Sequence, residues 1–94
     1  MSLGDVFKAL SDSTRREILR ILRDGDLSAG AIAERFSISR PSVSHHLTTL
    51  RHAGLVTAER RGQEIVYSLD ATLFEELVAY LLDLSGRTER RDAE

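Results

Sequence analysis

Apolar residues recur along this chain in three regimes: helical spacing first, then alternation, then helical spacing again. Leu3, Val6, Phe7 and Leu10 fall at i, i+3, i+4, i+7, which predicts a short amphipathic helix over 3–10 with Ser2 as its cap. Ser11-Asp12-Ser13-Thr14 interrupts it, and Asp12 is placed to cap a second helix running to Arg23, with Ile18, Leu19, Ile21 and Leu22 inward. Asp24-Gly25-Asp26 turns the chain, Leu27 reads as a short extended piece, and Ser28 opens a third helix over 29–36 with Ile32, Ala33 and Phe36 inward. Ser37-Ile38-Ser39 is then a turn with Ile38 as its one buried residue.

The next helix, 39–53, opens on Ser39 with Pro41 in the first turn, where a missing N–H costs little, and closes on Gly54. Its apolar residues Val43, Leu47 and Leu50 form one narrow stripe. At about 100° per residue, Pro41, Ser42, His45, Thr48 and His52 fall on the opposite face, with Arg40, Ser44 and Arg51 on its flank. His46 lies beside the stripe and reads as half-buried. After Gly54 the period changes to two: 55–60 and 64–69 alternate, with Arg61-Gly62-Gln63 turning between them. A hairpin alone is marginal, so it must pack on the helices.

Asp70 caps a last helix over 71–85, and here one stripe is too narrow. Eight of the twelve residues from Leu73 to Leu84 are large and apolar, more than one monomer face consumes. The surplus predicts a second copy of the chain, with Leu3, Val6 and Phe7 of the first helix and Phe74, Leu77, Val78, Leu81 and Leu82 of the last at the contact. Tyr80 and its leucine neighbours alternatively line an effector pocket. Residues 1–85 thus read as one domain, mainly helical with a small β-hairpin, and 86–94 as a charged tail.

Composition narrows the function. The chain has 94 residues, a net charge of −2 and no cysteine, which removes disulfides and thiolate metal sites. The charge is unevenly placed. Arg35, Arg40, Arg51, Arg60 and Arg61 stand against Glu59 alone, so the middle is basic between acidic flanks. His45 and His52 sit about 10 Å apart along the helix axis, too far to share a metal ion. No glycine-rich phosphate loop and no nucleophile with a buried acid–base partner is in sight, so no catalysis and no cofactor are expected. No run is long and apolar enough to span a bilayer and no signal pattern opens the chain, which places it in the cytoplasm. Arg15 and Arg16 read as surface residues facing Glu17, solvent or a phosphate.

A helix, a three-residue turn, an acid-free helix and a basic hairpin form a winged helix-turn-helix in the order α-α-α-α-β-β-α. The runs F-K-A-L-S-D-S-T-R-R-E-I-L (7–19), D-L-S-A-G-A-I-A-E-R-F (26–36), S-R-P-S-V-S-H-H-L-T-T-L-R-H-A-G-L-V (39–56) and R-R-G-Q-E-I-V-Y-S-L (60–69) resemble the ArsR/SmtB family of small winged-helix repressors, and within it the SdpR-like autorepressor branch. The resemblance covers residues 5–84; Ser13 departs from it, where the family commonly has proline. It implies a homodimer on an inverted-repeat operator in double-stranded DNA. Residues matching Arg40, Ser44 and His45 would read base edges, and Arg60, Arg61 and Gln63 would reach the neighbouring backbone or minor groove. Ser42 and Thr48 suit phosphate contacts. The family's metal-sensing residues do not carry over: Leu27-Ser28-Ala29 stands where a thiolate pair is expected, and the last helix has Asp83 but no histidine. Two alternatives remain open, a winged helix used only for protein interaction, and a repressor released by an inducer at the last helix.

Overall fold

A computed structural model of the protein describes residues 1–87. Five helices and three strands follow one another as α1 (Leu3–Leu10), α2 (Ser13–Arg23), β1 (Leu27–Ser28), α3 (Ala29–Ala33), α4 (Arg40–His52), β2 (Val56–Arg61), β3 (Glu64–Leu69) and α5 (Ala71–Leu84). Each helix begins where a side-chain oxygen takes one of its orphan amides. Asp12 accepts from Arg15 N at 3.0 Å, Ser28 from Ala31 N at 3.1 Å, Ser39 from Ser42 N at 3.2 Å and Asp70 from Leu73 N at 3.1 Å.

Two helix ends close in the same way. Gly54 (φ +86) donates to Arg51 O and Leu55 to Leu50 O; Gly86 (φ +84) donates to Asp83 O and Arg87 to Leu82 O. Both are paired reverse bonds that satisfy the last carbonyls and turn the chain sharply. At α4 the turn sends the backbone straight into β2. The next link is Asp70 N to Leu55 O at 3.0 Å, which ties the start of α5 to the same corner. The charged tail expected beyond this point lies, from residue 88 on, outside the described residues.

The wing is a hairpin in strict register, from Val56↔Leu69 to Arg61↔Glu64. Arg61 therefore belongs to β2, and the loop is the two residues Gly62 and Gln63. Gly62 has φ +65 and Gln63 has not, the type II′ arrangement that suits strand twist. The expected two strands are in fact three. Leu27↔Tyr67 and Ser28↔Val66 add β1 to the far side of β3, so the sheet order is β1-β3-β2. The extended piece at Leu27 thus covers an edge that a lone hairpin would leave open.

One core joins the helices to the sheet. Val6, Ala9, Ile18, Leu22, Ile32, Val43, Leu47, Leu50, Leu55 and Val56 are almost wholly buried in it. Three expectations change here. The helix expected over 29–36 stops at Ala33, and Glu34 to Phe36 continue as tight turns (Arg35 N to Ile32 O, Phe36 N to Ala33 O) that still lay Phe36 on the core. Ile38 is 41% exposed rather than buried, because Ile32 and Phe36 already supply the core side of the turn. Val6 and Leu77, expected at a contact between copies, are 0% and 6% exposed and belong to the chain's own core.

The rest of that set divides by exposure. Leu3, Phe74 and Leu82 are half-buried; Phe7, Val78 and Leu81 are 44%, 53% and 44% exposed, with Leu84 at 64% beyond them. Helix α5 holds to the core through Leu73 and Leu77, with Phe74 packed beside them, and turns Val78, Leu81 and Leu84 outward.

A Cβ on Gly54 would stand 3.0 Å from Leu73 Cδ1, at a φ that side chains rarely adopt. Gly54→Ala is therefore expected to destabilise the fold by about 1–3 kcal/mol. Urea denaturation measures this, and an unchanged midpoint would refute the account of the α4–β2 corner.

Candidate nucleic-acid interface

Helix α4 is built to be held on one side only. Val43, Leu47 and Leu50 are 2%, 1% and 0% exposed, while Arg40, Pro41, Ser42, Ser44, His45, Thr48, Arg51 and His52 are all exposed. The outward face carries guanidinium, hydroxyl and imidazole groups and no carboxylate. Arg40 forms no ion pair among the described residues. Ser42 is partly engaged locally: the Ser39 and Ser42 hydroxyls lie 3.0 Å apart, within the helix cap. Ser44, His45 and Thr48 make no such bond among the described residues and present free donors and acceptors.

At the wing, Arg60, Arg61 and Gln63 are exposed as expected. The two arginines differ, because alternation along β2 sends them to opposite faces. Arg61 lies on the side of Glu59 and donates to its carboxylate from Nε at 3.3 Å and from a terminal nitrogen at 3.0 Å. Arg60, across from Ile65, has no such partner among the described residues and is the less encumbered cation.

The residue missed in the sequence is Arg15. It is 9% exposed, and its guanidinium is shared among three helices. Nε donates to Ala9 O at 2.8 Å and one terminal nitrogen to Lys8 O at 3.0 Å, which satisfies the C-terminal carbonyls of α1. The other terminal nitrogen lies 3.1 Å from His46 Nδ1 on α4. The signal was present: Arg15, Ile18, Leu19 and Leu22 occupy i, i+3, i+4, i+7, so the arginine heads the buried stripe of α2. Arg16 also turns back to α1, donating to Leu10 O at 2.8 Å. Glu17 pairs with Arg20 instead.

His46 is half-buried as expected. Besides Arg15 it has Asp12 Oδ2 at 3.8 Å. His52 reaches α1, with Nε2 3.8 Å from Asp5 Oδ2. Between α1 and α4 lies a cleft of about 320 Å³ bordered by Asp5, Lys8, Arg15, His45, Thr48 and His52. A shallow cleft on α5 is bordered by Phe74, Glu75, Val78 and Ala79 and not by Tyr80. Among the described residues no group of three or more His, Asp or Glu is placed to hold a metal ion, and no helix is long and apolar enough to cross a membrane.

Known proteins share this arrangement. The sequence pattern described as "Bacterial regulatory protein, arsR family" matches residues 12–58, from the cap of α2 through α4 into the wing. The chain is 48% identical over 85 residues to the "Transcriptional repressor SdpR" of Bacillus subtilis (strain 168), covering 90% of this chain and 94% of that protein. This chain belongs to the arsR family. Solved structures agree on the fold. An ArsR-like transcriptional regulator from Rhodococcus sp. RHA1 superposes with a TM-score of 0.83 at 37% identity, over 89% of this chain and 77% of that one. Another ArsR family transcriptional regulator gives 0.85 at 26% identity, over 92% and 94%. The arsR family comprises DNA-binding transcriptional regulators, not enzymes, so the acid-free face of α4 stands in the second helix of a helix-turn-helix.

The Asp12 carboxylate links the stability of the fold to pH. The Arg15 backbone N–H bonded to it holds its pKa below the ordinary 3.8; partial burial opposes this, and the charges of His46 and Arg15 add to the lowering. A depressed folded-state pKa means that the stabilisation is complete above the unfolded value and disappears as pH falls through the folded one. Asp12→Asn keeps a capping oxygen without the charge, so its stability should vary less over that acid range than the wild type's. Asp12→Ala should cost about 1 kcal/mol at neutral pH. Thermal melts of the three proteins across the acid range check both expectations.

Proposed function

We propose that this protein is a homodimeric repressor that occupies an inverted-repeat operator through α4 and the wing. The observation that carries this is α4 itself: buried through three apolar residues, half-buried at His46 and Thr49, exposed at its other positions, and without an acid on the exposed side. Such a face meets the phosphate-lined major groove without a like-charge penalty. Arg40, Ser44 and His45 would reach base edges, with Arg40 suited to guanine O6 and N7. Ser42 and Thr48 would contact phosphate. Arg60 and Gln63 would follow the adjacent backbone or minor groove, joined by Arg61 once it leaves Glu59.

The second copy would sit on the outward face of α5 together with α1. Phe7, Val78 and Leu81 supply its exposed apolar surface, and Leu3, Phe74 and Leu82 its margin. Two copies of α4 about 34 Å apart would enter successive major grooves on one side of the duplex. Joining two half-site contacts in one particle makes each the intramolecular partner of the other. Repression follows by occluding the promoter, in the cytoplasm where the DNA lies. Residues 1–85 would be the DNA-binding and dimerisation unit. The name of the Bacillus subtilis relative and the match across nearly its whole length support this reading.

Sequencing the fragments of its own genome that the purified protein retains tests the proposal as a whole. A shared inverted repeat is the expected result; retention governed only by fragment length would contradict it. Arg40→Ala should reduce the preference for that repeat over scrambled duplex by about 10- to 100-fold, the scale of one bidentate base contact. An equal loss on both duplexes would instead make Arg40 a phosphate contact. The double substitution Val78→Asp and Leu81→Asp should halve the mass seen in sedimentation equilibrium, and an unchanged mass would move the interface away from α5.

A further inference from the structure

Arg15 donates and cannot accept, so a guanidinium nitrogen 3.1 Å from His46 Nδ1 requires a lone pair on that imidazole nitrogen. His46 is then neutral with its proton on Nε2. The same nitrogen has the Asp12 carboxylate 3.8 Å away on its other side. Two arrangements of one ring are therefore available. A neutral His46 accepts from Arg15. A protonated His46 has a donor at Nδ1, is repelled by the guanidinium and is drawn to Asp12, which remains ionised at that pH because its own pKa is lowered.

We infer that Arg15 and His46 are positioning residues for operator recognition: their hydrogen bond sets the seat of α4 against α1 and α2, and protonation of His46 releases it. This rests on the DNA-binding reading above. The geometry favours a positioning role over a purely structural one in two ways. Arg15 already satisfies two α1 carbonyls without His46, so the third contact adds a link to α4 that core closure does not need. His46 also directly follows His45 on α4, their ring centroids 6.0 Å apart, so a shift of its seat moves a base-facing neighbour. The charged and titratable groups around His46 are Asp12 and Arg15 from α2 and His45 on its own helix. From α1, Lys8 gives its carbonyl to Arg15, and its side chain borders the adjoining cleft with Arg15 and His45.

The sign of the effect separates it from general electrostatics. Protonating histidines strengthens binding to any DNA, whereas loss of the latch weakens the choice among sequences. The test compares a duplex carrying the retained repeat with a scrambled duplex, at about pH 7.5 and about pH 5.5, on either side of the ordinary imidazole value. Wild-type discrimination should fall about tenfold at the lower pH, the scale of one base contact. His46→Asn places an amide oxygen where Nδ1 stood and does not titrate, so its discrimination should hold at both values. His45 and His52 are common to both proteins and cancel in the comparison. Discrimination that does not depend on pH in the wild type, or falls equally in His46→Asn, overturns the inference. Nitrogen chemical shifts of the His46 ring, measured on the full chain without DNA, test the bond by itself. The Nε2–H tautomer is expected, and the Nδ1–H tautomer overturns the latch even if operator binding stands. Absence of discrimination at about pH 7.5 would instead remove the DNA reading, and the positioning role with it.

Discussion

The structure depends on a helix that must be fixed in place while leaving most of its circumference bare. Only Val43, Leu47 and Leu50 hold α4 by burial, a stripe narrower than an ordinary amphipathic helix presents. Three side chains fix a helix's distance from the core better than its rotation or its slide along its own axis. The neighbouring elements supply what the stripe lacks. At the N-terminus, Ser39 caps the first turn. At the C-terminus, Gly54 and Leu55 lock the chain into β2. In the middle, Arg15 reaches His46 from α2. Cap, corner and latch act at three heights along one helix, so its seat is defined without covering its outer face.

The wing obeys a related constraint. A two-stranded ribbon would twist freely at its base, and β1 prevents this by pairing Leu27 and Ser28 with β3. Because Ser28 also caps α3, the strand that steadies the wing is continuous with the first helix of the helix-turn-helix. Helix α4 and the wing are thus referred to the same frame. In the proposed complex that rigidity would matter, because one particle would meet a groove and a flanking backbone together and each immobilised element reduces the ordering cost of binding.

Much of this was legible in the residues, for identifiable reasons. Caps at Ser2, Asp12, Ser28, Ser39 and Asp70 are local chemistry, and sequence displays local chemistry directly. The change of period after Gly54 is likewise local, as is the acid-free face of α4. What stayed hidden depended on competition for space. Ile38 looks like a core residue until Ile32 and Phe36 are seen to fill that side of the turn. Val6 and Leu77 carry the same apolar signature as Phe7 and Val78, and only the fold decides which pair faces inward. Arg15 was hidden by its charge. Arginines are rarely buried, yet its spacing with Ile18, Leu19 and Leu22 placed it on the inward stripe.

That buried arginine bears on how so small a chain carries α5. The core engages α5 through Leu73 and Leu77 and leaves Val78, Leu81 and Leu84 outside. A chain of this size buries a modest fraction of its surface and has little reserve for exposed apolar area. Two economies in the core offset this. Arg15 donates to the Ala9 carbonyl at the buried end of α1 and joins Ser11 on the Lys8 carbonyl, and no buried side-chain nitrogen or oxygen among the described residues lacks a partner. The monomer core thereby closes without the outer face of α5, which stays free to present its leucines and valine as a flat apolar surface. In the proposed dimer, an identical surface related by a two-fold axis would match it. The same axis would place two α4 helices on one side of a duplex, so the feature that makes α5 costly for the monomer would be the one that makes α4 useful.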